Sequence, residues 1–324
     1  MKTLFVLGML VTLAACQTAP ATPSEPVKPT LYSTPLYSTP QPAAAAPAVT
    51  SAPAQPTQTL AVTATAKAEA GPTVLAVAHR GGAALAPENT LAAFDNAQKI
   101  GVDMVECDVH LSKDGELVVM HDPDVSRTTN GTGQIGEMTL AEIKKLNAAA
   151  KFSGGTFAAQ PPPTLGELLD LIKGKAGIQI EIKLAAGNAR YPGIEKKVVD
   201  ALNAKGMTDK AIVISFDFPT LKDVKAIDPR IKTGALVNAQ WMMARMTRSP
   251  EQILDEVVQS TGADYFMPTS GSVTEALVKA THAKGLKLGT WTVDATAEMK
   301  RLAGWGVDGI TSNRPDELKR TLGR

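Results

Sequence analysis

His79-Arg80-Gly81-Gly82 follows the short apolar run Val74 to Ala78, Glu106 and Asp108 stand two apart, and His121-Asp122 closes a further apolar run. Two imidazoles, a guanidinium and a carboxylate pair are the side chains needed to hold a divalent cation and to break a phosphodiester beside it by proton transfer. The chain has only four histidines in 324 residues, and two of them stand where an apolar run ends. Side chains two apart on a strand project to one face, so Glu106 and Asp108 present both carboxylates together and Cys107 points the other way. Glu181 and Lys183 repeat that geometry. A third carboxylate would complete the protein share of a calcium or magnesium site, and the lysine could balance charge or hold phosphate. The same acids could instead be solvated strand ends, or ion pairs with Arg80 and Lys183. Two histidines at neighbouring strand ends beside them argue for acid/base work. His110 and His282 have no such company and are read as structural.

These residues need a scaffold that brings distant strand ends together. Apolar runs of strand length recur between helical patterns at Val74 to Ala78, Met104 to Val109, Ile178 to Ile182, Ala211 to Phe216, Thr233 to Val237, Tyr265 to Met267, Leu288 to Val293 and Gly309 to Thr311. Eight buried strands alternating with helices predict an α/β fold, a TIM (β/α)8 barrel. A further run, Leu117 to Met120, follows the turn Lys113-Asp114-Gly115 and reads as the return arm of a hairpin above the second strand, bringing His121 back beside Glu106 and Asp108. Helix starts are marked by Asn89-Thr90 and by Thr139/Glu142 and Thr164/Glu167 at capping-box spacing. The turn cluster Asn130-Gly131-Thr132-Gly133 predicts a small insertion after the second strand, at about 123–163, on the face where barrel insertions shape the substrate mouth.

The first part of the chain has another character. Lys2 precedes the apolar stretch Leu4 to Ala15, which is too short to span a bilayer and has the pattern of an export signal. It ends in Leu13-Ala14-Ala15-Cys16, which resembles the lipobox of bacterial lipoproteins. Residues 1–16 are therefore expected to be a signal peptide with lipidated Cys16, giving an exported protein anchored to a membrane of the cell envelope; Gln17 points to the outer one. Residues 17–72, dominated by Pro, Ala, Thr and Ser, read as a disordered tether, leaving 73–324 as the barrel. With Cys16 lipidated, Cys107 is the only other thiol, so no disulfide can form within the mature chain. The formal net charge of +1 carries no electrostatic footprint for nucleic acid.

The ordered set of motifs resembles the glycerophosphodiester phosphodiesterase family. It runs from His79-Arg80-Gly81-Gly82 through Pro87-Glu88-Asn89-Thr90, Glu106-Cys107-Asp108-Val109, Lys113-Asp114-Gly115, Val119-Met120-His121-Asp122, Arg127-Thr128-Thr129-Asn130-Gly131, Pro163-Thr164-Leu165 and Glu181-Ile182-Lys183 to Trp291-Thr292-Val293 and Gly306-Val307-Asp308-Gly309-Ile310. The resemblance implies hydrolysis of glycerophosphodiesters to sn-glycerol 3-phosphate and an alcohol, with one divalent cation, Ca2+ or Mg2+. It implies Glu106, Asp108 and Glu181 as metal ligands, His79 and His121 as the acid/base pair, and Arg80 and Lys183 on phosphate oxygens. Trp291 would line the glycerol pocket, and Glu88 sits in the motif beside the first histidine. The chain departs from the family pattern twice: Ser312-Asn313 stands where Thr-Asp is frequent, and Asp294 where Asn is frequent. Two other readings remain, a surface lipoprotein that uses the barrel as a binding module or adhesin, and a phosphodiesterase for lysophospholipids or sphingolipids.

Overall fold

Strands that are buried on both faces cannot show the alternation of a half-exposed sheet, and the continuous Val/Ile/Leu/Ala runs of this chain fold accordingly. A computed structural model describes residues 73–324; the signal segment with Cys16 and the tether 17–72 lie outside the described residues. The strands are β1 (Leu75–Ala78), β2 (Met104–Leu111), β3 (Leu117–Val119), β4 (Gly177–Ile182), β5 (Ala211–Ser215), β6 (Lys232–Val237), β7 (Tyr265–Pro268), β8 (Lys287–Thr290) and β9 (Gly309–Ser312). All but β3 pair in parallel, and β1 pairs with both β2 and β9, which closes an eight-stranded barrel. The expected TIM barrel is the fold.

Each barrel strand leads to a helix on the outside. These are α1 (Leu91–Ile100), α3 (Leu165–Ile172), α4 (Ile194–Lys205), α5 (Phe218–Ile227), α7 (Pro250–Thr261), α8 (Glu275–Ala283), α9 (Thr296–Gly304) and α10 (Pro315–Thr321); the short α2 (Leu140–Ile143) and α6 (Ala239–Met243) lie in the connections after β3 and β6. The caps follow from the sequence. Thr90 accepts from the Ala93 N–H, and Thr139/Glu142 and Thr164/Glu167 each form the full reciprocal box. Alternate strand residues go to different cores. Val105, Cys107 and Val109 pack outward against helices, while Val77, Met104, Ile212, Ile214, Leu236, Tyr265 and Met267 fill the lumen. Among the described residues, no helix is long and apolar enough to cross a membrane.

β3 returns antiparallel on the upper end of β2, pairing Val109 with Val119 and Leu111 with Leu117. The Met120 N–H then donates to the Asp108 carbonyl at 3.0 Å, which sets His121 directly above the acidic pair. The following segment carries its own small core of Val125, Ile135 and Ile143 under Val118 and Met120.

Candidate active site

Above the apolar lumen plug, the inward positions of β2 and β4 change from Met104 to Glu106 and Asp108, and from Gln179 to Glu181. Asp108 and Glu181 are register partners, and one oxygen from each of Glu106, Asp108 and Glu181 lies within 4.8 Å of the others. All three are buried. Two cations face these three carboxylates: Lys183 Nζ lies 2.8 Å from Glu181 Oε1 and 3.4 Å from Asp108 Oδ1, and Arg80 Nε lies 3.5 Å from Asp108 Oδ2. The Asn89 amide donates to Asp108 Oδ2 at 2.8 Å.

The turn after β1 is shaped to bring backbone as well as side chain to the acids. Arg80 (φ 51°), Gly81 (φ 82°) and Gly82 (φ 96°) all lie in the left-handed region, and the Arg80 N–H is thereby aimed at Glu106 Oε2, 2.8 Å away. A β-carbon at Gly81 would sit 2.8 Å from that of Ala93, so only glycine lets this turn close on α1. The Arg80 side chain continues to Glu88 at 2.9 Å. Glu88 is also gripped by Arg127, at 2.7 and 3.0 Å. Both Glu88 oxygens thus face guanidinium groups, and Glu88 orients Arg80 and Arg127.

The two histidines end the two strands, β1 and β3, that pair with one edge of β2. His79, at the end of β1, has Nε2 4.0 Å from Glu106 and Nδ1 2.7 Å from Asn313 Oδ1. His121, at the end of β3, has Nδ1 2.6 Å from Asp122 Oδ1, and Asp122 is itself paired with Arg127. Trp291 donates its indole N–H to the Met267 carbonyl at 2.9 Å and meets Phe216 edge to face at 5.3 Å. With His79, Glu106 and Glu181 these two rings line the floor of the cavity. A groove of about 400 Å³ opens from it past His121, Lys183 and Asp217.

Electrostatics at this end are unresolved within the protein. Burial, reinforced by the Asp108 charge, pushes the Glu106 carboxyl well above the usual carboxylate range. Burial lifts Glu181 in the same way against the pull of Lys183. Burial also opposes the Asp108 charge, but Lys183 and Arg80 together outweigh it and hold that carboxyl low. Both histidines lie below their ordinary value, chiefly through burial, with Arg80 adding to it at His79. Asp108 Oδ1, Asn89 Oδ1, Arg80 Nε and Gln179 Oε1 are buried and lack a hydrogen-bond partner among the described residues. Crowded carboxylates with unused lone pairs are a donor set that fits a hard divalent cation.

A sequence model of the glycerophosphoryl diester phosphodiesterase family matches residues 79–317. The chain belongs to the glycerophosphodiester phosphodiesterase family. It is 40% identical over 248 residues to a glycerophosphodiester phosphodiesterase of Caldanaerobacter subterraneus subsp. tengcongensis, covering 75% of this chain and 96% of that one. Among solved structures it resembles the enzyme of that name from Agrobacterium tumefaciens, with TM-score 0.63 and 30% identity over 75% of this chain and 98% of the other. A phosphodiesterase of Oleispira antarctica, solved with its product sn-glycerol 3-phosphate, superposes with TM-score 0.63 at 27% identity over 76% and 96% of the two chains.

The residues that support this family member's site are less visible in sequence than its acids. His110, expected to be structural, donates from Nε2 to the His121 carbonyl at 3.0 Å and meets the Tyr191 hydroxyl at 3.1 Å through Nδ1. It holds the backbone of a site histidine in place. A period-two count from Glu106 and Asp108 reaches His110 and was the available signal. His282 lies away from the site, pairing with Asp308 at 2.8 Å. Asn313 and Asp294, visible in sequence only as departures, are in contact with each other, and Asn313 touches His79.

Proposed function

We propose that the chain hydrolyses glycerophosphodiesters to sn-glycerol 3-phosphate and an alcohol, with His79 as general base, His121 as general acid, and Glu106, Asp108 and Glu181 as ligands of a calcium or magnesium ion. The observation that carries this reading is the meeting of three buried carboxylates within 4.8 Å, with His79 4.0 Å from Glu106 and His121 following the strand that pairs with the upper end of β2. When bound there, the cation would neutralise the phosphate and lower the pKa of the glycerol 2-hydroxyl. Arg80 and Lys183 hold the remaining phosphate oxygens, and Trp291 and Phe216 give the glycerol carbons a dry wall.

The ring partners divide the proton work. His79 faces a neutral amide whose oxygen supports Nδ1–H only modestly, burial and Arg80 keep the ring below its ordinary value, and Nε2 is free to take the 2-hydroxyl proton. His121 faces the Asp122 carboxylate, which favours the charged ring, and the anionic diester arriving beside it adds to that preference. His121 then protonates the departing alcohol, which leaves through the groove that it lines. Attack by the 2-hydroxyl forms a cyclic 1,2-phosphate, and water opens it with the two histidine roles reversed.

The test is to dialyse the protein against EDTA, restore calcium, magnesium or zinc singly, and follow glycerol 3-phosphate release from glycerophosphocholine. Turnover should vanish and return with a divalent ion, and His121→Ala should lower it by about 10² to 10⁴. Activity that survives EDTA, choline phosphate as product, or a folded His121→Ala protein with normal turnover would each overturn the reading.

A further inference from the structure

His79 has its proton placed for it by a carboxylate that it never touches. Asp294, in the loop after β8, accepts from the Ser312 hydroxyl at 3.0 Å and from the Asn313 N–H at 2.8 Å through Oδ1, while its Oδ2 accepts from the Asn313 side-chain amide at 2.8 Å. A carboxylate offers only acceptors, so the NH2 of Asn313 must face Asp294 and the amide oxygen must face the other way. That oxygen lies 2.7 Å from His79 Nδ1. It cannot donate, so in the neutral ring the proton is on Nδ1 and the lone pair is on Nε2, the nitrogen on the Glu106 side.

We infer that Asp294 and Asn313 are positioning residues that lock His79 in the Nδ1–H tautomer, with Asp294 deciding which way the Asn313 amide points. The two positions at which the sequence departs from the family pattern are thus one contact, an acid and an amide exchanged between partners. The inference rests on the reading of His79 as base for its effect on rate, but its effect on the ring does not.

Exchange of roles makes a sharp test. In Asp294→Asn, the new amide keeps its oxygen on the Ser312 and Asn313 donors and turns its NH2 towards Asn313. Asn313 must then flip to accept, and its own NH2 faces His79 Nδ1, which can meet it only as an unprotonated nitrogen. The lone pair leaves Nε2. Adding Asn313→Asp supplies an acceptor to both neighbours at once and restores the first arrangement.

The full-length chain should be compared as wild type, Asp294→Asn and the Asp294→Asn/Asn313→Asp double variant, by kcat and KM on glycerophosphocholine and by long-range 1H–15N correlations of the neutral His79 ring. The expected result is an Nδ1–H ring in wild type and an Nε2–H ring in Asp294→Asn, whose kcat falls by about 10² or more with KM nearly unchanged. Both should revert in the double variant. An Nδ1–H ring that persists in Asp294→Asn, or a double variant as slow as the single, overturns the inference. A ring that inverts while kcat holds leaves the inference standing and overturns His79 as base instead.

Discussion

The two ends of the barrel use acidic residues in opposite ways. At the end where the chain enters each strand, Asp103, Asp264 and Asp308 stand immediately before β2, β7 and β9, and each forms a two-bond ring with the neighbouring strand. The Asp103 N–H donates to the Ala76 carbonyl at 3.0 Å and its carboxylate accepts from the Ala76 N–H at 2.7 Å. Asp264 does the same with Thr233, at 2.9 and 2.9 Å, and Asp308 with Leu288, at 2.8 and 2.8 Å. Asp103 also pairs with Arg324, and Asp264 with Lys225 and Lys232, while the His282 ring lies 2.8 Å from Asp308. At the other end three acids face two cations, and Asp108 Oδ1 is buried without a hydrogen-bond partner among the described residues. One end uses its carboxylates to hold strands together, and the other gathers them into a cluster that could hold the proposed cation.

The strongest way to break that contrast is Glu106→Gln. On the proposed metal role, turnover should fall by at least about 10², since a charged ligand would be lost where several kcal/mol of charge stabilisation is needed. Stability should move the other way. The folded-state pKa of Glu106 is raised by burial and by Asp108, so the metal-free fold favours the protonated acid. Its stability is then greatest below the unfolded carboxylate range and declines as pH climbs through the raised folded value. Glu106→Gln removes that decline, so its melting temperature in EDTA at pH 8 should equal or exceed that of wild type. A clear drop would mean that the carboxylate has a structural role like those at the opposite end.

His110 sharpens the contrast from within the functional end, because there it follows the logic of full satisfaction. Both ring nitrogens are engaged, and burial drives its pKa down to about 4, so it is a neutral strut and not a titrating group. His110→Phe keeps the ring and leaves the His121 carbonyl without its donor. Turnover should drop roughly 10- to 100-fold through misplacement of His121, and unfolding should become easier by about 1–3 kcal/mol, measured by urea titration. Loss of stability with unchanged turnover would show that His121 does not depend on this support.

The contrast also explains what could be read from the chain. Eight apolar runs of strand length are visible because strands covered on both faces need them, and period two within β2 assigns Glu106 and Asp108 to one side without any coordinates. Hydrogen bonds to backbone leave no such trace. His110 touches the His121 carbonyl and Tyr191, a residue 81 positions away, and neither partner alters the residues around it in sequence. The strand-linking aspartates did leave a signal, since Gly101-Val102-Asp103, Gly262-Ala263-Asp264 and Gly306-Val307-Asp308 repeat one triplet. The glycine follows a helix in the left-handed region, at φ 79°, 63° and 81°, the apolar residue is buried, and the aspartate immediately precedes the next strand. Three copies of a triplet are easily taken as turn chemistry until the partner strand is known.

Asp264→Ala tests the structural end alone and should have the smallest effect on chemistry. Burial opposes its charge, but Lys225, Lys232 and the Thr233 N–H outweigh burial and hold its carboxyl below the usual range. Because the folded value is depressed, its contribution is present above the unfolded value of about 3.9 and is lost as pH falls through the folded one. Asp264→Ala should therefore lower stability by about 1–3 kcal/mol at pH 7, where it strands the Thr233 N–H and removes a charged acceptor. The gap to wild type should narrow on acidification, and turnover with saturating divalent ion should be unchanged. Turnover that falls in step with stability would mean the two ends are coupled through the strands. The separation of roles between them would then fail.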